Sequence, residues 1–169
     1  MKRTHQFGVV KIGCSVCGRE DVEDRGAGSY RCRHCGYDTD IDYPKDIRRT
    51  HHQLQELAIA IQSLESAAHS FKHSNFAPQK QEDPERREQY RLDGYEQIQE
   101  VIDLLLGVVG AHERIGEAIS LLGSAQPSDS SFSAGELSTQ DGHDALDAIS
   151  RATPIIVTSR RALLDQLIS

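Results

Sequence analysis

From residue 45 onward, apolar side chains recur every three or four positions with polar residues between them. In "DIRRTHHQLQELAIAIQSLESAAHSFKHS", Ile47, Thr50, Leu54, Leu57, Ile61, Leu64, Ala68 and Phe71 fall on one line. That is the a/d spacing of a helix with one buried seam, and it predicts a helix over residues 45–74. The polar stretch "NFAPQKQEDPE", with two prolines, reads as a loop. Asp83 suits an N-cap and Pro84 the first helical position. A second helix is predicted over 84–123, where Ile98, Val101, Leu105, Val108, Ile115, Ile119 and Leu122 repeat the stepping and His112 shares the seam. Ile102, Leu104, Leu106 and Val109 widen that stripe, so its middle is expected to be buried on more than one side. Gly94, Gly107, Gly110 and Gly116 lie inside the pattern. Each costs about 1 kcal/mol against alanine in a helix interior, so close helix approach or a bend is expected there. Gly123 reads as a C-cap.

Residues 124–142 are rich in Ser and Gly and read as a linker or flexible loop. A third helical stretch is predicted from near His143, with Leu146, Ile149, Ile156, Leu163 and Leu167 on one face. Pro154 interrupts it, with Thr153 as a candidate N-cap, so a kink or two short helices are expected. The pattern as a whole predicts a mainly α protein. Three to four long helices form an antiparallel bundle or coiled coil over residues 44–169. Long seams of this kind also predict self-association or docking against a protein partner.

The first 43 residues follow a different rule. Cys14 and Cys17 stand in "GCSVCG", Cys32 and Cys35 in "RCRHCG", and fourteen residues separate the pairs. A two-residue gap lets both thiolates of a pair reach one ion. The glycine after each second cysteine, Gly18 or Gly36, suits a tight turn that needs a positive φ. The C-x2-C…C-x2-C spacing is close to that of a zinc site. A strand near Phe7–Lys11, a hairpin through Gly26–Gly28 and a third strand at Tyr37–Tyr43 are expected around it. Within "YDTDIDY", the alternation places Asp38, Asp40 and Asp42 as a row of carboxylates on one strand face.

This segment resembles the zinc ribbon, a rubredoxin-like fold, over residues 1–43, a quarter of the chain. The resemblance implies one structural Zn²⁺ held by Cys14, Cys17, Cys32 and Cys35. Rubredoxins use similar knuckles for iron, so the resemblance also admits an iron-binding electron carrier. Four thiolates leave no open coordination position, which argues against catalysis at the metal. So small a unit cannot hold itself together by apolar burial alone, and metal supplies the missing free energy.

Charge and composition narrow the function. The 169 residues carry a net charge of −7, and only 5% are aromatic, with no Trp. Residues 1–43 carry as many acids as Lys and Arg, so nucleic-acid binding by the ribbon, through Arg31, Arg33 and His34, is not supported by charge. No apolar run is long enough to span a membrane, and the apolar part of "MKRTHQFGVVKIG" is too short for a signal-peptide core. A soluble, cytoplasmic protein is expected.

No phosphate loop, GxSxG or HExxH is present. His69 and His73, four apart on one helix face, are expected to be exposed without metal. His51 and His52 point apart, His143 lies at a helix start, and His112 is expected to be a hydrogen-bonded core histidine. The basic pairs "RR" at 86–87 and 160–161 read as solvated faces. The expectation is a non-enzymatic, zinc-binding adaptor or assembly component, with a nucleic-acid-associated regulator of the transcription type as the alternative.

Overall fold

The computed structural model describes residues 3–5, 8–10, 13–76, 84–126 and 139–168. Two short antiparallel hairpins come first. β1 (Arg3–His5) pairs with β2 (Gly8–Val10), Arg3 opposite Val10. The strand expected near residues 7–11 is β2. β3 (Val22–Gly26) pairs with β4 (Ser29–Cys32), joined through Ala27 and Gly28. Both loop residues have positive φ, 51° and 88°, the geometry whose twist matches a two-residue hairpin.

The expected third strand over 37–43 is not formed. Asp38 meets Arg31 in an isolated bridge, and no strand follows it. The alternation was misleading because the Asp38 carboxylate turns inward. It is 4% exposed, accepts the Asp40 N–H at 3.0 Å, and lies 3.0 Å from Arg25 Nη1. An aspartate that bonds a backbone N–H two residues on makes a turn, not an extended strand. Tyr43 folds back, its hydroxyl accepting the Asp38 N–H at 2.8 Å. The carboxylates therefore form no row. Asp38 is buried, Asp40 accepts a hydrogen bond from the Ser29 hydroxyl, and the exposed Asp42 faces Arg48 at 3.2 Å.

Four helices follow: α1 (Lys45–Phe76), α2 (Pro84–Gly107), α3 (Ile115–Ser124) and α4 (Thr139–Ile168). They form a bundle; no coiled coil is present among the described residues. α1 matches its predicted span within two residues. Pro84 opens α2 as expected, while its candidate cap Asp83 lies outside the described residues, as does most of the 124–142 loop.

The predicted helix over 84–123 is two helices, and the chain reverses between them. α2 stops at Gly107, a 3₁₀ turn covers Val109–Ala111, and His112 is extended at φ −157°, ψ 141°. Gln126, just beyond α3, donates its side-chain amide to the Tyr95 carbonyl at 3.3 Å, so α3 runs back along α2. Gly107 and Gly110 weaken the helix where it ends. Leu106 and Val109, expected to widen the buried stripe, are exposed at this corner, at 55% and 47%. Gly123 lies inside α3 and does not cap it.

α4 runs through Pro154 as one helix, not two short ones. The proline and Ser150, whose carbonyl loses its partner, are both exposed, so water can take that bond. Thr153 does not cap a helix. Its hydroxyl donates to the Ile149 carbonyl at 2.8 Å.

α1 is the central element, with α2 and α4 both antiparallel to it. The Phe71 and Tyr95 rings meet at 4.9 Å, and Gly142 packs on Asn75. Leu54, Leu57, Leu64 and Phe71 are fully buried with Ile98, Val101, Leu105, Ile115, Leu122 and Ile156. Ile61 and Ala68, placed on the seam by spacing, are only partly buried, and Ala60 and Ala67 take the interior positions. The same core continues into the cysteine-bearing N-terminal segment through Val16, Cys14, Cys17 and Cys32.

Candidate metal centre

Each cysteine pair sits on the same backbone device. At the first, Gly18 donates its N–H to the Cys14 carbonyl at 2.7 Å and the Cys14 N–H reaches Arg19 O at 2.8 Å. At the second, Gly36 donates to Cys32 O at 3.0 Å and the Cys32 N–H reaches Tyr37 O at 2.7 Å. Gly18 and Gly36 have φ of 77° and 75°, the left-handed conformation that glycine adopts without strain. The two knuckles are thus equivalent, and they face each other across the β3–β4 hairpin.

The geometry gathers all four sulfurs. Cys14 Sγ lies 3.7 Å from Cys35 Sγ, and Cys17 Sγ lies 3.5 Å from Cys32 Sγ. All four lie within 4.8 Å of one another. Sulfurs at about 2.3 Å from a central ion would be about 3.8 Å apart in a tetrahedron, so the donor set fits a tetrahedral ion. The spacings are far beyond a disulfide bond, and all four cysteines are free. Cys14, Cys17 and Cys32 are buried, and Cys35 is half-buried. Val16 donates its N–H toward Cys14 Sγ at 3.4 Å.

Burial without a cation sets the thiol chemistry. It pushes the Cys17 thiol up to about 11, and pushes Cys35 up further still. Cys32 is also buried, but bonds from the Cys35 and His34 backbone amides and from neighbouring thiols outweigh burial and hold its pKa below the usual value. A divalent ion reverses this balance, because only the thiolates ligate.

The centre is bound to the bundle by contacts from three sides. Val16, between the cysteines of the first knuckle, is completely buried. Its carbonyl accepts from Arg160 Nη2 of α4 at 2.6 Å, while Arg160 Nε donates to the Leu54 carbonyl of α1 at 3.2 Å. Burial pulls the Arg160 pKa below its usual value, against the thiolates of Cys17, Cys14 and Cys35, which raise it. Gln55 of α1 donates to Ser15 Oγ at 3.1 Å. At the second knuckle, the His51 ring stands edge-on to Tyr37 and Tyr43 at 4.8 and 4.6 Å, and those two tyrosines stack on each other. Burial lowers the His51 pKa.

Sequence reasoning missed two of these residues. The Arg160–Arg161 pair reads as a solvated face, and the spacing puts Thr50 on the seam where His51 is buried. A signal existed for both. Arg160 follows Ile156 by four positions and precedes Leu163 by three, and His51 precedes Leu54 by three, so each borders an apolar stripe.

His34 and His143 are exposed. His69 and His73 rings meet at 4.3 Å on α1, and among the described residues the cysteines alone form a group able to hold a metal. His112 is in the α2–α3 reversal, not on a helix seam. It is half-buried, with Nδ1 3.1 Å from Ser159 Oγ and accepting the Arg114 N–H. Arg31 and Arg33 are exposed, and Arg33 lies 4.0 Å from Glu23. No described helix is long and apolar enough to cross a membrane.

No protein-family model matches the chain, and comparison with curated proteins and with solved structures finds no significant match.

Proposed function

We propose that this chain is a non-enzymatic, zinc-binding adaptor, in which a structural zinc ion holds a ribbon-like contact module at one end of a helical bundle. The observation that carries this reading is the closed donor set. Four sulfurs within 4.8 Å of one another would complete a tetrahedral shell around one ion and leave no position for water or substrate. An all-thiolate tetrahedron suits zinc. An ion in this place fixes both knuckles and the β3–β4 hairpin, whose outer side chains face solvent.

Features of the bundle support a protein partner. Ile59 and Leu106 are exposed at 48% and 55%. Between α1 and α2 runs an open groove of about 470 Å³, lined by His52, Glu56, Glu100, Asp103, Leu104 and Val108. Apolar and acidic side chains side by side suit a protein surface better than a phosphate backbone.

The test is capture from native lysate on tagged wild type and on Cys32→Ser, each with and without nuclease. The adaptor reading expects a stoichiometric protein that survives nuclease and is lost from Cys32→Ser. Partners that disappear with nuclease would favour a nucleic-acid-associated role. Partners retained in full by Cys32→Ser would separate binding from the metal.

A further inference from the structure

Arg160 presents an electrostatic problem that the helical bundle alone does not answer. It is half-buried on α4, two turns before the helix ends, and both of its described hydrogen bonds go to backbone carbonyls, Val16 at 2.6 Å and Leu54 at 3.2 Å. Among the described residues, no carboxylate lies within 4.0 Å of its guanidinium. A half-buried cation with no anion beside it is costly, and such groups are normally paired. Other arginines of the chain do have a carboxylate: Arg25 meets Asp38, Arg48 meets Asp42 and Arg114 meets Glu117.

The missing anion is at the knuckle. Arg160 touches the residue between Cys14 and Cys17, and its Nη2 would lie 3.8 Å from a methyl group built on Gly18. Four thiolates around a divalent ion carry a net charge of −2, the largest local charge in this part of the molecule. We propose that Arg160 is the counter-charge of the metal–thiolate centre, and that metal occupancy thereby holds the ribbon against α1 and α4. This rests on the metal-centre reading of the four cysteines. Without the ion the four sulfurs do not assemble that charge beside the guanidinium, and the α4 contact with Val16 weakens. Arg160 is a positioning residue: it touches no metal and acts through the charge of the ligands.

The experiment uses the full chain, stripped of metal by a chelator and titrated with Co²⁺. Binding is followed by the thiolate-to-cobalt charge-transfer absorption and by displacement with Zn²⁺. Arg160→Gln removes the charge and is expected to weaken Co²⁺ binding by roughly tenfold. Arg160→Lys keeps the charge and is expected to restore most of that loss. The exposed neighbour provides a control, Arg161→Gln, expected to bind as wild type does. Equal affinity for Arg160→Gln and wild type would overturn the proposal. So would equal weakening by Gln and Lys, which would make Arg160 a hydrogen-bonding pin alone.

A second measurement needs no variant. Hydrogen exchange of the wild-type chain is compared with and without Zn²⁺. Faster exchange in segments 51–57 and 156–164 on metal removal is expected. Unchanged protection there, with exchange confined to 13–43, would overturn the coupling. A wild-type chain that binds neither ion would remove the metal reading itself, an outcome distinct from failure of Arg160→Gln alone.

Discussion

Gly94 of α2 faces the ring of Phe71 on α1: a methyl group built on Gly94 would lie 2.8 Å from both Cε2 and Cζ of that ring. Phe71 is fully buried and packed edge-on against Tyr95, so the ring cannot step aside. The glycine is what lets the two helices approach here. Gly94→Ala gains about 1 kcal/mol of helix propensity but overpacks the crossing, at a cost of roughly 1–3 kcal/mol. The expected net result is a lower thermal midpoint, read by circular dichroism. A raised midpoint would mean that the crossing has room.

Leu64 and Leu106 test the division between interior and corner. Leu64 is fully buried, whereas Leu106 is 55% exposed beside the chain reversal. Leu64→Ala should cost roughly 2–5 kcal/mol in urea unfolding. Leu106→Ala should change stability by less than about 0.5 kcal/mol. Similar losses at both would restore a single long helix with a buried middle.

Metal uptake should release protons. Without a cation, burial lifts Cys17 to about 11 and Cys35 higher, so both thiols are protonated near neutral pH, whereas bound ligands are thiolates. Calorimetric titration of the metal-free chain with Zn²⁺, in buffers of different ionisation enthalpy, should show release of at least those two protons. Affinity should therefore rise with pH through the neutral range. A pH-independent affinity would contradict the thiol assignment.

His51 gives a second pH dependence, of the opposite origin. Burial lowers its pKa from 6.5, so the folded chain prefers the neutral ring and the unfolded chain binds the proton more readily. Its contribution to stability is fully present above the unfolded value and falls as pH drops below about 6.5 toward the folded pKa. An NMR titration of the zinc-loaded protein should place the His51 midpoint below 6.5. A midpoint at or above that value would mean the ring is solvated, and the contact with Tyr37 and Tyr43 open.

Much of this architecture was legible because it rests on local rules. The C-x2-C-G knuckles were visible as paired turns, and φ of 77° and 75° at Gly18 and Gly36 shows the physical reason for the glycines. The stepping from Leu54 to Phe71 reads as α1 because one face of a helix must be buried. What local patterns missed depends on partners distant in sequence. The Asp38–Tyr43 alternation resembles a strand until Arg25 and Tyr43 draw Asp38 inward. The apolar run around Leu106 resembles a continuous helix until α4 provides the surface to which α3 turns back. Pro154 resembles a break until its exposed position is known. Arg160 could be recognised as part of the metal centre only when Val16 was placed beside it, 144 positions earlier in the chain.

The central claim is that Cys14, Cys17, Cys32 and Cys35 together hold one zinc ion. Native mass spectrometry of the purified full chain, with elemental analysis of the same sample, tests it directly. The account predicts one zinc per chain, retained at neutral pH and lost in Cys32→Ser. Iron in its place, or a metal-free chain whose mass shows two disulfides, would contradict it.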